Sequence, residues 1–280
     1  MIKSYLQLTK PGIVFGNALT CLAGFFLASR GSVNPLLLLW TLLGLSLIIG
    51  SSCVWNNYID RGIDQKMVRT RNRALATGTI SLQKALRFGL VLGFAGVWML
   101  FLATNILTMS LAVGGFFIYV VLYSLSKYHT SLGTEIGSVA GAIPPVVGYT
   151  AVTNCIDVSA LLLFLTVVFW QMPHFYAIAM YRLDDYRVAE IPVLPLVKGA
   201  VKAKARMLGY VVAFTLIAPL VAYKSHAYVA VMTCLSAFWL LLALRGFTAE
   251  NDRLWARQMF FFSLVVIMAF SLMLCFISVA

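Results

Sequence analysis

The sequence predicts an all-α, polytopic membrane protein of about nine transmembrane helices with a cytoplasmic N-terminus. Three observations carry that expectation. Of the 280 residues, 61% are hydrophobic and 11% charged, and the mean hydropathy is +0.92. A soluble domain has too little interior to hide that much apolar surface. The apolar residues fall into runs of roughly 20, the length that crosses a bilayer core as a helix. The basic residues sit between those runs and nearly all on one side.

Taken in order, the expected spans are 11–29, 36–58, 85–104, 106–126, 133–152, 158–181, 207–223, 227–245 and 258–278. The run after Lys10 is too long for the apolar region of a signal peptide and lacks a small-residue cleavage site, so it reads as the first span. Arg30-Gly31-Ser32 and Asn34-Pro35 separate it from the second. Span 5 opens on the small-residue block from Gly133 to Pro145, which suits close helix packing, and Pro144-Pro145 should kink it. Thr153-Asn154 turns the chain before Asp157 and span 6, where Pro173 should free carbonyls beside a cavity. The whole of 1–280 reads as one transmembrane domain, with long loops at about 59–84 and 182–206.

Charge sorting sets the orientation. With the N-terminus on side one, every one of the 21 basic residues except Arg30 and Lys224 falls on that side. The positive-inside rule makes it cytoplasmic, and an odd number of spans follows. The net charge of +12 therefore speaks of topology and lipid headgroups and not of nucleic acid. The five cysteines are scattered without a CxxC pair, which argues against disulfides or zinc. Eight of the nine acidic residues share the cytoplasmic side, Asp157 being the exception. The positive-inside rule does not ask for that.

Each long loop begins with carboxylates. In Trp55-Asn56-Asn57-Tyr58-Ile59-Asp60-Arg61-Gly62-Ile63-Asp64, the i, i+4, i+8 spacing advances about 40° per step, so Asn56, Asp60 and Asp64 share one helix face. Carboxylates are costly at membrane depth and call for a partner. Two of them with an amide oxygen are hard ligands suited to Mg²⁺, an ion that bridges to phosphates. The plainer alternative is solvated residues pairing with Arg61 and Lys66. The basic run from Lys66 through Arg71 to Arg73 offers donors for the outer oxygens of a diphosphate. In the second loop Asp185 is the expected further metal ligand, with Asp184 and Glu190 behind it. Tyr123 and Lys127, at i, i+4, end span 4 on the same side; headgroup snorkelling is the alternative for Lys127. Lys10 stands before span 1. In Trp170-Gln171-Met172-Pro173-His174, His174 lies above Asp185 and is read as an iron ligand, a substrate partner or a satisfied core histidine. Glu135 is unusual at a span edge and suggests a cavity-facing acid.

Asn56-xxx-Asp60-xxx-Asp64 followed by Arg71-Asn72-Arg73 resembles the first aspartate-rich motif of the UbiA superfamily of intramembrane prenyltransferases. Within it, the resemblance is to the branch that farnesylates haem. It rests on Asn56 to Arg61, the Gly133–Pro145 block, Trp170 to His174, Ile191-Pro192-Val193-Leu194-Pro195 and Asp252-Arg253-x-Trp255-Ala256-Arg257. The resemblance implies nine helices around a central cavity with the aspartates at its cytoplasmic mouth, in a bacterial inner membrane. It implies Mg²⁺ on Asn56, Asp60, Asp64 and Asp185. Lys10, Lys66, Arg71, Arg73 and Lys127 would hold the diphosphate, and Tyr123 would shield the reacting allyl group. Farnesyl diphosphate and haem b would be the reactants, with haem near His174 and Trp170 and the product passing to haem A synthase or terminal-oxidase assembly. Two departures stand out: Gly62 replaces an acid frequent in relatives, and Asp185+4 is Ala189, so the second motif lacks DxxxD spacing.

Two rival functions fit parts of this pattern. A quinone-pathway prenyltransferase would need a pocket for a small aromatic acid and no role for His174. A transporter accommodates intramembrane carboxylates, but here both acidic clusters lie at one face and not at the midplane.

Overall fold

The computed structural model describes residues 2–277, and among these every regular element is helical. Among the described residues, nine helical stretches are long and apolar enough to cross a membrane. Ser278, which the sequence assigns to the last span, lies outside the described residues.

The chain opens with a short helix, α1 (Ile2–Leu8), which the span count does not anticipate. The Asn57 amide donates to the Leu8 carbonyl at 2.8 Å, tethering α1 to the second span. Lys10 then takes a left-handed conformation (φ 51°), and Pro11 starts α2 (Pro11–Ser29), where its missing N–H costs nothing. The Asn34 side chain caps α3 (Pro35–Asp64), accepting from the Leu36 and Leu37 amides. This helix runs six residues past the expected end of span 2 because Asn56, Asp60 and Asp64 continue one buried face.

The loop from 65 to 81 is packed. Leu75 and Ile80 are buried with Leu8 of α1, Val54 of α3 and Ala85 of the following helix. Next come α4 (Leu82–Ala103) and α5 (Ile106–Phe117), the latter continuing through a π-helical stretch (Ile118–Tyr123) into α6 (Ser124–His129). Span 5 divides at Ala142 into α7 (Gly133–Gly141) and α8 (Ile143–Thr153), as Pro144-Pro145 requires. By contrast α9 (Val158–Tyr181) continues through Pro173; the helix is not broken there, although the ring removes one donor from its ladder.

The second long loop holds two short helices, α10 (Leu183–Val188) and α11 (Leu194–Lys198). The seventh span, α12 (Ala200–Ile217) with a 3₁₀ turn to Ala222, begins seven residues earlier than hydropathy suggests. Its first turns carry Lys202, Lys204 and Arg206, and Lys204 pairs with Asp252 at 2.5 Å. The last two spans are α13 (His226–Arg245) and α14 (Asp252–Phe276). One large apolar core joins α9, α12, α13 and α14, and a smaller one joins α2, α3, α5 and α8. A cavity lies between them, and its lining includes residues near the ends of α3, α6 and α9.

Candidate active site

The buried polar face of α3 forms the cavity mouth. Asn56, Asp60 and Asp64 are 2%, 9% and 4% exposed, so their oxygens depend on protein partners. Each partner comes from a different part of the chain. Lys10, at the α1–α2 junction, donates to Asn56 Oδ1 at 2.6 Å. Lys127 of α6 pairs with the Asp60 carboxylate, which also accepts from the Tyr128 hydroxyl. Arg73, from the packed loop, reaches both oxygens of Asp64 at 2.8 and 2.9 Å. Three oxygen ligands thus meet three cations in one small volume. Asn56 Nδ2 is buried with no partner among the described residues.

The donor set fits a hard divalent cation. Two carboxylates and an amide oxygen project from one face, and among the described residues no cluster of three acidic, histidine or cysteine side chains closes a cage. Mg²⁺ is held by such sparse sets, keeping waters and completing its shell with substrate phosphates. Lys10 is strongly affected by its surroundings. Lost hydration at the mouth pulls its ammonium from 10.5 down to about 8.

The cavity, mouth included, has a volume of about 630 Å³. Tyr119 and Tyr123 stack at 5.3 Å on one wall, and the Tyr119 hydroxyl reaches Asn56 Oδ1 at 3.4 Å. Both lie in the π-helical stretch, whose wider turn re-aims the side chains between α5 and α6. The small residues of α7 let neighbours approach: a Cβ at Gly137 would strike the Tyr123 ring, and one at Gly141 the Gln171 amide.

His174 lines the same cavity. Its ring lies 4.9 Å from both Trp170 and Phe260. The Trp170 indole donates to the Ser263 carbonyl at 2.7 Å. The hydrogen on the Ser263 hydroxyl is committed to the Phe260 carbonyl, 2.6 Å away, so Oγ is free to accept from His174 Nδ1 at 2.7 Å. That assigns the proton of the neutral ring to Nδ1. Nε2 keeps its lone pair and has no protein partner among the described residues.

The structure brings Lys10, Asn56, Asp60, Asp64, Arg73, Tyr123, Lys127, Trp170 and His174 to one cavity. Asp185, Lys66 and Arg71 are not among its lining. Lys66 and Arg71 are exposed, and Asp185 is half-buried on α10, where its neighbour Tyr186 faces the cavity instead. Glu135 also stays outside the lining: Tyr176 and Arg206 donate to it at 2.6 and 2.7 Å, joining α7, α9 and α12. Tyr119, Tyr128, Arg69 and Ser263 are additions. Tyr119 extends the i, i+4 series of Tyr123 and Lys127 one step back, whereas Tyr128 adjoins Lys127 and falls off that series. Ser263 is one of two serines in an apolar span and gives no sequence signal.

Known proteins show the same fold and sequence pattern. Residues 17–265 match the model of the UbiA prenyltransferase family. A protein named protoheme IX farnesyltransferase from Cronobacter sakazakii is 51% identical over 278 residues, covering 98% of this chain and 94% of its own length. One of the same name from Serratia proteamaculans is equally similar, at 51% over the same shares. Among solved structures, a digeranylgeranylglyceryl phosphate synthase superposes with a TM-score of 0.80 at 18% identity, covering 99% of both chains. A UbiA homologue from Archaeoglobus fulgidus, bound to DMAPP and Mg²⁺, gives 0.71 at 13% identity, over 99% of this chain and 100% of its own. With a family match across most of its length and half its residues shared with these relatives, the chain belongs to the UbiA prenyltransferase family.

Proposed function

We propose that this chain transfers the farnesyl group of farnesyl diphosphate to a vinyl group of haem b, giving haem O and diphosphate. The observation that carries the proposal is one cavity with two unlike ends. The mouth is a cluster of oxygen ligands and cations suited to a diphosphate; the wall is aromatic and presents the bare Nε2 of His174. The names of the half-identical relatives support haem as the acceptor.

Asn56, Asp60 and Asp64 would hold a divalent cation, which would supply countercharge for the diphosphate. Lys10, Arg69, Arg73 and Lys127 add positive charge where negative charge grows as the C1–O bond breaks. The faces of Tyr119 and Tyr123 stabilise the allylic cation. The terminal vinyl carbon of haem bonds to C1. Water then adds its hydroxyl to the adjoining carbon and a proton leaves, which produces the hydroxyethylfarnesyl group. The apolar walls limit earlier attack by water on the farnesyl cation. His174 orients haem through Nε2. The active site faces the cytoplasm and the whole chain acts as one transmembrane domain, a placement supported by the basic residues around the mouth.

Release of diphosphate is expected only when farnesyl diphosphate and haem b are both present, and chelation should stop it. Release that ignores haem would contradict the proposal. The pH dependence follows from Lys10. Its ammonium is charged below about 8 and neutral above, so kcat/KM for farnesyl diphosphate should fall as pH rises through that value. Lys10→Arg should move the decline to higher pH. For the acceptor, Ser263→Ala frees the His174 proton assignment. It should weaken haem binding about tenfold and shift the haem absorption bands, as loss of a partner behind a ligating histidine does.

A further inference from the structure

A second cavity, of about 420 Å³, lies on the α9–α14 seam near the membrane edge, lined by Arg182, Arg253 and Arg257 with Tyr181 and Phe261. We infer that these three arginines form a carboxylate site that holds the acid edge of the acceptor; this rests on haem b being the acceptor.

The same two helices build both halves of the seat. His174 and Arg182 belong to α9 and its C-cap, while Ser263 and the two other arginines belong to α14. Along α9 the eight residues from His174 to Arg182 rise about 12 Å, and a guanidinium reaches back over part of that span. Phe260 stands between the two cavities and lines neither: its ring lies 4.9 Å from His174 and 5.6 Å from Tyr181.

Two of the guanidiniums lie against aromatic rings, and the nearby acids are Asp184 and Asp185 of α10. Arg182 lies 5.0 Å above the Tyr181 ring and Arg257 5.6 Å from Phe261. Arg253 has one loose contact, 3.9 Å from Asp184, an exposed acid already paired with Arg187 at 2.9 Å. Elsewhere Lys10, Arg73 and Lys127 are committed to Asn56, Asp64 and Asp60. Haem b carries two carboxylates on the edge remote from its vinyls, and guanidinium forks match carboxylates in pairs. Seated on the arginines, the porphyrin points its vinyl edge away from them and into the larger cavity, where farnesyl C1 awaits.

The test uses full-length protein in nanodiscs, with haem b and its dimethyl ester as acceptors. Arg253→Gln with Arg257→Gln should raise Kd and KM for haem b about tenfold, by loss of charge-assisted hydrogen bonds, and leave KM for farnesyl diphosphate near its original value. The ester should bind the variant and the original protein equally, and Arg257→Lys should restore part of the haem affinity. Equal losses for haem b and the ester, or unchanged haem affinity, would overturn the site. So would a defect that appears only in nanodiscs containing phosphatidylglycerol, which would assign the arginines to a lipid phosphate. Haem binding is read by absorbance without turnover. An original protein that binds haem yet never farnesylates it would refute the proposed reaction and leave the carboxylate site standing.

Discussion

Asp60→Asn should lower turnover by about a thousandfold or more, the range for losing a group that stabilises transition-state charge or holds a catalytic metal. The substitution keeps the size of the side chain and removes its charge. Asp60 is the crowded member of the mouth, accepting from both Lys127 and Tyr128. Replacing it exchanges one carboxylate oxygen for an amide nitrogen, removes the charge that faces the metal, and loosens Lys127 from its fixed position. The rate of farnesyl transfer measures the effect, and an unchanged unfolding temperature shows that the fold persists. Asp185→Asn should cost far less, because that residue stands outside the lining. Equal losses at both positions would mean that the α10 segment closes over the mouth when diphosphate binds.

Gly148→Val should cost the fold far more stability than Asp60→Asn or Ser263→Ala. Helices α2 and α8 touch backbone to backbone: a Cβ at Gly148 would fall on the Cys21 carbonyl, and one at Gly24 on the Pro145 carbonyl. Neither obstacle is a side chain that can turn away, so the helices must separate. A loss of at least about 3 kcal/mol is expected, the upper part of the overpacking range, visible as a lower unfolding temperature in detergent. Gly114→Ala is the control, since nothing lies within 4 Å of its added carbon. An unaltered unfolding temperature for Gly148→Val would show that α2 and α8 pack differently.

Much of this architecture is legible in the sequence because membrane segments are governed by length and apolarity. The nine spans and the division of span 5 at its prolines follow from those rules. Boundaries fail where charge rides on a helix. Asp60 and Asp64 extend α3, and Lys202 to Arg206 open α12, because folded neighbours satisfy groups that hydropathy assigns to loops. The central motif is equally legible, since a four-residue spacing fixes a helix face. Its partners are less so. Lys10, Arg73 and Lys127 converge on it from positions 46, 9 and 67 residues away. Which cation meets which oxygen is decided by tertiary packing. The π-helical stretch and Ser263 leave no pattern at all: one is a backbone register, the other a single hydroxyl whose meaning comes from its neighbours.

The most direct measurement is mass analysis of the porphyrin after purified protein is given haem b, farnesyl diphosphate and Mg²⁺, with 4-hydroxybenzoate also present. The predicted product is haem bearing one farnesyl group and one added water, with hydroxybenzoate unchanged. Unmodified haem beside farnesylated hydroxybenzoate would contradict the account.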